Sequence, residues 1–288
     1  MNLDGRRQSS NVEDRRGTRI SGKAAGGLGL GGIIIVGIIT LLLGGNPADV
    51  IQTISGLGPG IEYSSDRTPT AEEEELAVFS SQILAGTEDV WTSIFRQYGR
   101  TYEPPKLVLY TDYVQTASGT ASAASGPFYN SADQTVYIDL SFFTSMKKEI
   151  GADGDFAYAY VIAHEVGHHV QYLLGTLGEA HSQMSRMSEK QSNQMSVRLE
   201  LQADFYAGVW AYNDNRMFGS LERGDIEEGM AVASKIGDDY LQKKAYGRTV
   251  PDSFNHGTSE QRSRWLRKGL TTGDINQGDT FSPAYSSL

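Results

Sequence analysis

The chain reads as a mostly helical α+β domain with a small sheet, preceded by one transmembrane helix. Three observations predict this. Apolar residues recur at helical spacing through several long segments, two short segments alternate as strands do, and one stretch near the start carries no charge.

Residues 1–23 are polar and basic, with Arg6, Arg7, Arg15, Arg16, Arg19 and Lys23 against Asp4, Glu13 and Asp14. They are expected to form a solvated, disordered cytoplasmic arm. Residues 24–45 contain no charged side chain and include Ile33 to Val36 and Leu41 to Leu43. That is about the 20 residues needed to cross a bilayer as a helix. Gly44, Gly45, Asn46 and Pro47 offer no A-x-A cleavage site, which favours an uncleaved anchor over a signal peptide. The basic flank would stay in the cytoplasm, so a single pass through the inner membrane would leave the rest periplasmic or extracellular. Residues 46–69, rich in Gly, Pro, Ser and Asp, read as a linker, and residues 70–288 as the folded domain.

That domain should open with a long helix. Thr70 and Glu73 have capping-box form, and Leu76, Phe79, Ile83, Leu84, Val90, Trp91, Ile94 and Phe95 follow at helical spacing, with a break expected near Gly86. Pro104 and Pro105 end it. Leu107 to Tyr110 and Thr135 to Leu140 read as two strands around a Ser/Ala/Gly-rich loop. Further helices are expected at 156–174, 191–213, 226–244 after Asp225, and 259–268 after Thr258, with an irregular end from 271 to 288.

A net charge of −10 argues against nucleic acid, because phosphate binding needs a clustered excess of Lys and Arg. Proteins or peptides are the expected partners. Cysteine is absent, so there is no disulfide, thiolate ligand or cysteine nucleophile, and a metal must sit on His, Asp or Glu.

The helix at 156–174 contains His164-Glu165-Val166-Gly167-His168-His169, an H-E-x-x-H pattern holding three of the five histidines. Imidazoles four apart share one helix face and can reach one Zn²⁺, while the adjacent Glu165 projects toward its water as the base. A catalytic zinc needs a third protein ligand. Glu200 and Asp204, again four apart among apolar neighbours, are the candidates: Glu200 for the metal, Asp204 for the free ring nitrogen of a ligand histidine. The bland alternative is two acids on a solvated face. A third histidine six residues after the second would mark another metalloprotease class, but Leu174 stands there and Gln171 replaces the midway glycine. His169 and His181 read as surface or packing residues. His256 precedes a helix start, and His256 or Arg262 could donate to an oxyanion; pairing of Arg262 to an acid is the plainer alternative.

These residues resemble the neutral zinc metallopeptidase family of single-pass bacterial membrane proteins. The resemblance spans nearly the whole chain: the arm Gly5 to Gly17, Gly126-Pro127-Phe128-Tyr129 with Val136-Tyr137-Ile138-Asp139, His164 to His168, Glu200 to Asp204, and His256-Gly257-Thr258-Ser259. The site pattern is similar to thermolysin-like gluzincins. That implies a zincin-like domain, Glu200 as third ligand, Asp204 as partner of His164, and a transition-state role for His256 above all, with Arg262. It also implies that substrate backbone pairs with the Gly126 to Tyr129 or Val136 to Asp139 strand. Positions 118 and 130, here Ser118 and Asn130, would be cysteine in some relatives. The expected function is a zinc-dependent endopeptidase at the extracytoplasmic face of the membrane. The alternative is an inactive, zinc-containing, membrane-tethered binding or scaffolding protein. Substrate identity and oligomeric state are not encoded in any of these motifs.

Overall fold

In the computed structural model, residues 1–17 and 68–288 are described; the apolar stretch at 24–45 and nearly all of the predicted linker lie outside them. Among the described residues no helix is long and apolar enough to cross a membrane.

Helix α1 (Ala71–Gln97) starts on the capping box the sequence announces: Glu73 N–H donates to Thr70 Oγ1 at 3.2 Å and Thr70 N–H to Glu73 Oε2 at 2.7 Å. It runs through Gly86 without the expected break. Glycine stands there for clearance, since a Cβ would lie 2.8 Å from Asp214 Oδ1 and 2.9 Å from Arg6 Nη2.

The predicted strands appear as β2 (Lys106–Tyr110) and β6 (Thr135–Asp139), paired in parallel. Between them lie a separate hairpin, β3 (Tyr113–Thr116) with β4 (Gly119–Ser122), and β5 (Phe128–Asn130), antiparallel to β6. Ser118 Oγ lies 3.1 Å from Asn130 Oδ1 and ties the hairpin turn to β5. With β1 (Val12–Asp14) the main sheet has the order β1-β2-β6-β5. β6 is therefore flanked on both sides, and only β5 offers an edge at that end.

Helices α2 (Ser141–Ile150) and α3 (Asp155–Leu174) follow, then α4 (Thr176–Met184) and the long α5 (Glu189–Phe218). The single helix expected at 226–244 is two, α6 (Asp225–Ala233) and α7 (Asp238–Tyr246). Gly237 caps α7, and glycine stands there because a Cβ would sit 2.1 Å from the backbone nitrogen of Ser259. Asp225 is the first residue of α6 and Gly224 its cap. Helix α8 (Ser259–Thr272) begins on a second capping box, Thr258 with Gln261. The irregular tail is nonetheless anchored: the Arg198 guanidinium donates to the carbonyls of Thr280, Phe281 and Pro283, and Gln202 Nε2 to Gly278 O.

Residues 1–17 are not the solvated arm their composition suggests. β1 pairs in parallel with β2, Leu107 N–H donating to Asn11 O (2.9 Å) and Arg15 N–H to Leu109 O (2.7 Å). Arg6 makes a two-pronged contact with Asp214 on α5 (2.8 and 3.3 Å), and Asp214 is fully buried. Arg7, Ser9 and Asn11 all reach the buried Glu88 on α1. Arg16, itself buried, pairs with Asp14 and Glu74.

Removing one partner of a buried ion pair leaves an uncompensated charge, at a cost of about 3 kcal/mol. Arg6→Ala should lose stability on that scale in chemical denaturation of the full chain, and Asp214→Asn in the same background should recover part of it.

Candidate metal centre

Two helices build the site by crossing closely. On α3, Gly167 faces Ala203 of α5, and a Cβ at Gly167 would meet Ala203 O at 3.0 Å and its Cα at 3.1 Å. The approach places the 164–168 face of α3 against the 200–204 face of α5, so the two i, i+4 pairs confront one another.

His164 Nε2 lies 3.1 Å from Glu200 Oε2, and His168 Nε2 lies 3.4 Å from Glu200 Oε1. The ligating atoms of His164, His168 and Glu200 all fall within 4.8 Å of one another, and all three residues are buried. Donors around a tetrahedral Zn²⁺ with bonds of about 2.0 to 2.1 Å sit roughly 3.3 Å apart. Two imidazole nitrogens and a carboxylate oxygen gathered within 4.8 Å are donor types that zinc takes, so the residues present fit it.

Each histidine is turned toward Glu200 by a partner on its other nitrogen. His164 Nδ1 lies 2.8 Å from Asp204 Oδ1, and Asp204 also accepts from Tyr160 Oη at 2.6 Å and from Arg262 Nε and Nη2, both at 2.8 Å. His168 Nδ1 donates to Gln171 Oε1 at 2.9 Å, and Gln171 Nε2 donates to Leu199 O and Gln202 Oε1. Gln202 in turn holds Gly278 O. Such partners fix which ring nitrogen faces the metal and raise ligand basicity.

Burial disfavours charge on the His164 ring, but Asp204 and Glu200 outweigh it and hold the ring up at about 10. Burial likewise works against the Glu200 carboxylate, yet His168, His164 and His256 bring it well below the usual range. For Asp204, Arg262 and His164 overcome burial and pull the carboxyl down to about 2. Glu165 has no comparable support, and burial raises its carboxyl above the ordinary value; its Oε2 is buried without a hydrogen-bond partner.

A pocket beside these residues is lined by Phe142, Met146, Val161, Val232 and Ile236 on its apolar side, and by Ser125, Gly126 and Pro127 just before β5. Glu165, His256 and Arg262 also line it. His256 is buried, with Nδ1 3.2 Å from Asp238 Oδ1; the backbone N–H groups of Asn255, His256 and Gly257 all donate to Asp238 Oδ2. Arg262 adopts the plainer of its two expected roles through Nε and Nη2, while Nη1 is buried without a partner. His181 lies outside the group of ligating residues.

Sequence reasoning gave no role to Tyr160, Gln171 or Asp238, and gave His169 only a surface or packing role. Tyr160 sits one turn before His164, and Gln171 three residues after His168, spacings that mark one helix face. Asp238 is reached only through the fold. His169, expected at the surface or in packing, is fully buried: Tyr129 Oη donates to its Nδ1 (2.9 Å) and its Nε2–H to Glu103 O (2.7 Å). It thereby fastens the edge strand β5 to α3.

Gln171→Leu should weaken zinc binding about 10- to 100-fold while leaving the three ligands in place; competition against a chromogenic chelator measures this. Burial brings the His169 ring down to about 4, the Glu103 carbonyl offsetting only part of the effect. The unfolded chain therefore takes up the proton first, near pH 6.5, and folded stability falls as pH drops from there toward 4, by about 3 kcal/mol in all. Unfolding at graded pH should show this slope, and His169→Gln should flatten it.

The chain is similar to known proteins over most of its length. "Uncharacterized protein YpfJ" of Escherichia coli (strain K12) is 47% identical over 287 residues, covering 98% of this chain and 99% of the relative. "Uncharacterized protein Rv2575" of Mycobacterium tuberculosis (strain ATCC 25618 / H37Rv) is 36% identical over 259 residues, 85% of each chain. No solved structure matches significantly. The profile of the family described as "Putative neutral zinc metallopeptidase" matches residues 1–281, arm, site and tail together, and the chain belongs to that family.

Proposed function

We propose that the protein is a zinc-dependent endopeptidase of the H-E-x-x-H type, with His164, His168 and Glu200 holding the metal and Glu165 as general base. The observation that carries this reading is the convergence of three buried donors beside an unpartnered Glu165 carboxyl oxygen, at the end of a pocket. A purely structural zinc is normally closed by a fourth protein ligand. The donor group among the described residues has three, which favours catalysis over the scaffolding alternative.

Bound zinc supplies a Lewis acid that polarises the scissile carbonyl and makes water a better nucleophile. Glu165 accepts the proton of the attacking water and returns it to the leaving amine, a shuttle suited to a carboxyl raised by burial. No covalent enzyme intermediate is needed. His256, held on its Nδ1 side by Asp238, presents Nε2 to the developing oxyanion, and Arg262 lines the same pocket. Substrate backbone pairs along β5, since β6 is covered on both sides. The wall of Phe142, Met146, Val161, Val232 and Ile236 takes an apolar substrate side chain. Extracytoplasmic action rests on a single crossing by residues 24–45, and peptide hydrolysis does not require it.

Zinc stoichiometry and chelator-reversible cleavage of a peptide library by the full chain test the reading. Glu165→Gln should keep one zinc and lose at least 100-fold in cleavage. Full cleavage by that variant would falsify the mechanism.

A further inference from the structure

The placement of residues 1–17 bears on how the chain meets a membrane, independently of any peptidase activity. Asp214 and Glu88 are buried carboxylates, on α5 and α1. Among the described residues, the side-chain hydrogen-bond and ion-pair partners of both are arm residues: Arg6 for Asp214, and Arg7, Ser9 and Asn11 for Glu88. β1 supplies the backbone partners of the outer edge of β2. The clearance at Gly86 is shaped to the Arg6–Asp214 pair as well. Three separate features of the domain, Asp214, Glu88 and the outer edge of β2, are thus complete only with the arm in contact.

Groups 2.7 to 2.9 Å apart, as Arg15 N–H and Leu109 O or Leu107 N–H and Asn11 O are, cannot lie on opposite sides of a hydrocarbon layer about 30 Å thick. A single crossing by residues 24–45 would separate them. It would strip two buried carboxylates of their cation and hydrogen-bond partners and leave each charge uncompensated in the interior. Among the described residues, Arg6, Arg7 and Arg16 of the arm are not free positive charge: each is matched by a carboxylate of the domain, Asp214, Glu88 and Glu74 in turn.

We infer that the arm, residues 1–17, and the domain, residues 70–288, occupy the same side of any membrane the chain meets. The Lys/Arg bias before residues 24–45 then no longer assigns the domain to the outer compartment.

The chain has no cysteine, so single introduced thiols report without background. Ser10→Cys on the arm and Ser182→Cys on α4, both exposed, are made separately in the full-length protein. Cells with a permeabilised outer membrane are treated with a membrane-impermeant maleimide, then lysed, denatured and treated with a distinguishable second maleimide that counts every remaining thiol. The inference expects the two thiols to share one pattern, both reacting before lysis or both only after it. Reaction of one before lysis and the other only after would overturn it. So would absence of the residue-10 thiol from the mature chain, because the arm would then have been removed.

Discussion

Everything in the site depends on how closely α3 and α5 cross. Helices packed through ordinary side chains lie about 8 to 10 Å apart, and Gly167 removes the side chain that would hold these two at such a distance. With Gly167 against the backbone of Ala203, Glu200 and Asp204 straddle the contact and reach His164 and His168 directly. A second close crossing supports the first. Gly208 on α5 meets Gly269 on α8, where a Cβ on either would lie within 2.4 Å of a backbone oxygen. That contact sets α8 low enough for Arg262 to grip Asp204 from beneath. Three helices are stacked through glycine contacts, and the ionised groups fill the space between them.

The two histidine ligands are held by different forces. Behind His164 stands a network of Asp204, Arg262 and Tyr160, in which a buried carboxylate is matched by a buried guanidinium. Behind His168 stands a neutral relay of Gln171 and Gln202 that ends on the carbonyl of Gly278 in the tail. A charged pair in a low-dielectric interior is strong but intolerant of losing either member. An amide relay is weaker at each step and indifferent to protonation. The last residues of the chain are accordingly part of the metal centre, although none of them approaches the metal.

Much of this was legible in the order of residues. The H-E-x-x-H spacing and the Glu200–Asp204 pair are local patterns on single helices, and period alone places their side chains on common faces. Arg262 was visible with two roles open, and only the fold shows its Nε and Nη2 committed to Asp204. The arm was misread because the contacts that dock it are non-local: a run of Arg, Ser and Asn looks solvated until Glu88 and Asp214 are brought to it. The need for glycine at the start of α7 was invisible for a similar reason, since the close approach of Ser259 to Gly237 arises from tertiary packing. β1 and β5 are too short to show alternation.

The Arg6–Asp214 pair spans 208 positions of sequence. Ribosomes add roughly 5 to 20 residues per second, so about 10 to 40 s separate synthesis of the arginine from synthesis of its aspartate. During that interval the arm can meet Glu88 on α1 and the edge of β2, which are made earlier, but Arg6 has no carboxylate to pair with. The oldest part of the nascent chain thus completes its contacts in two stages, the second only once α5 has been made.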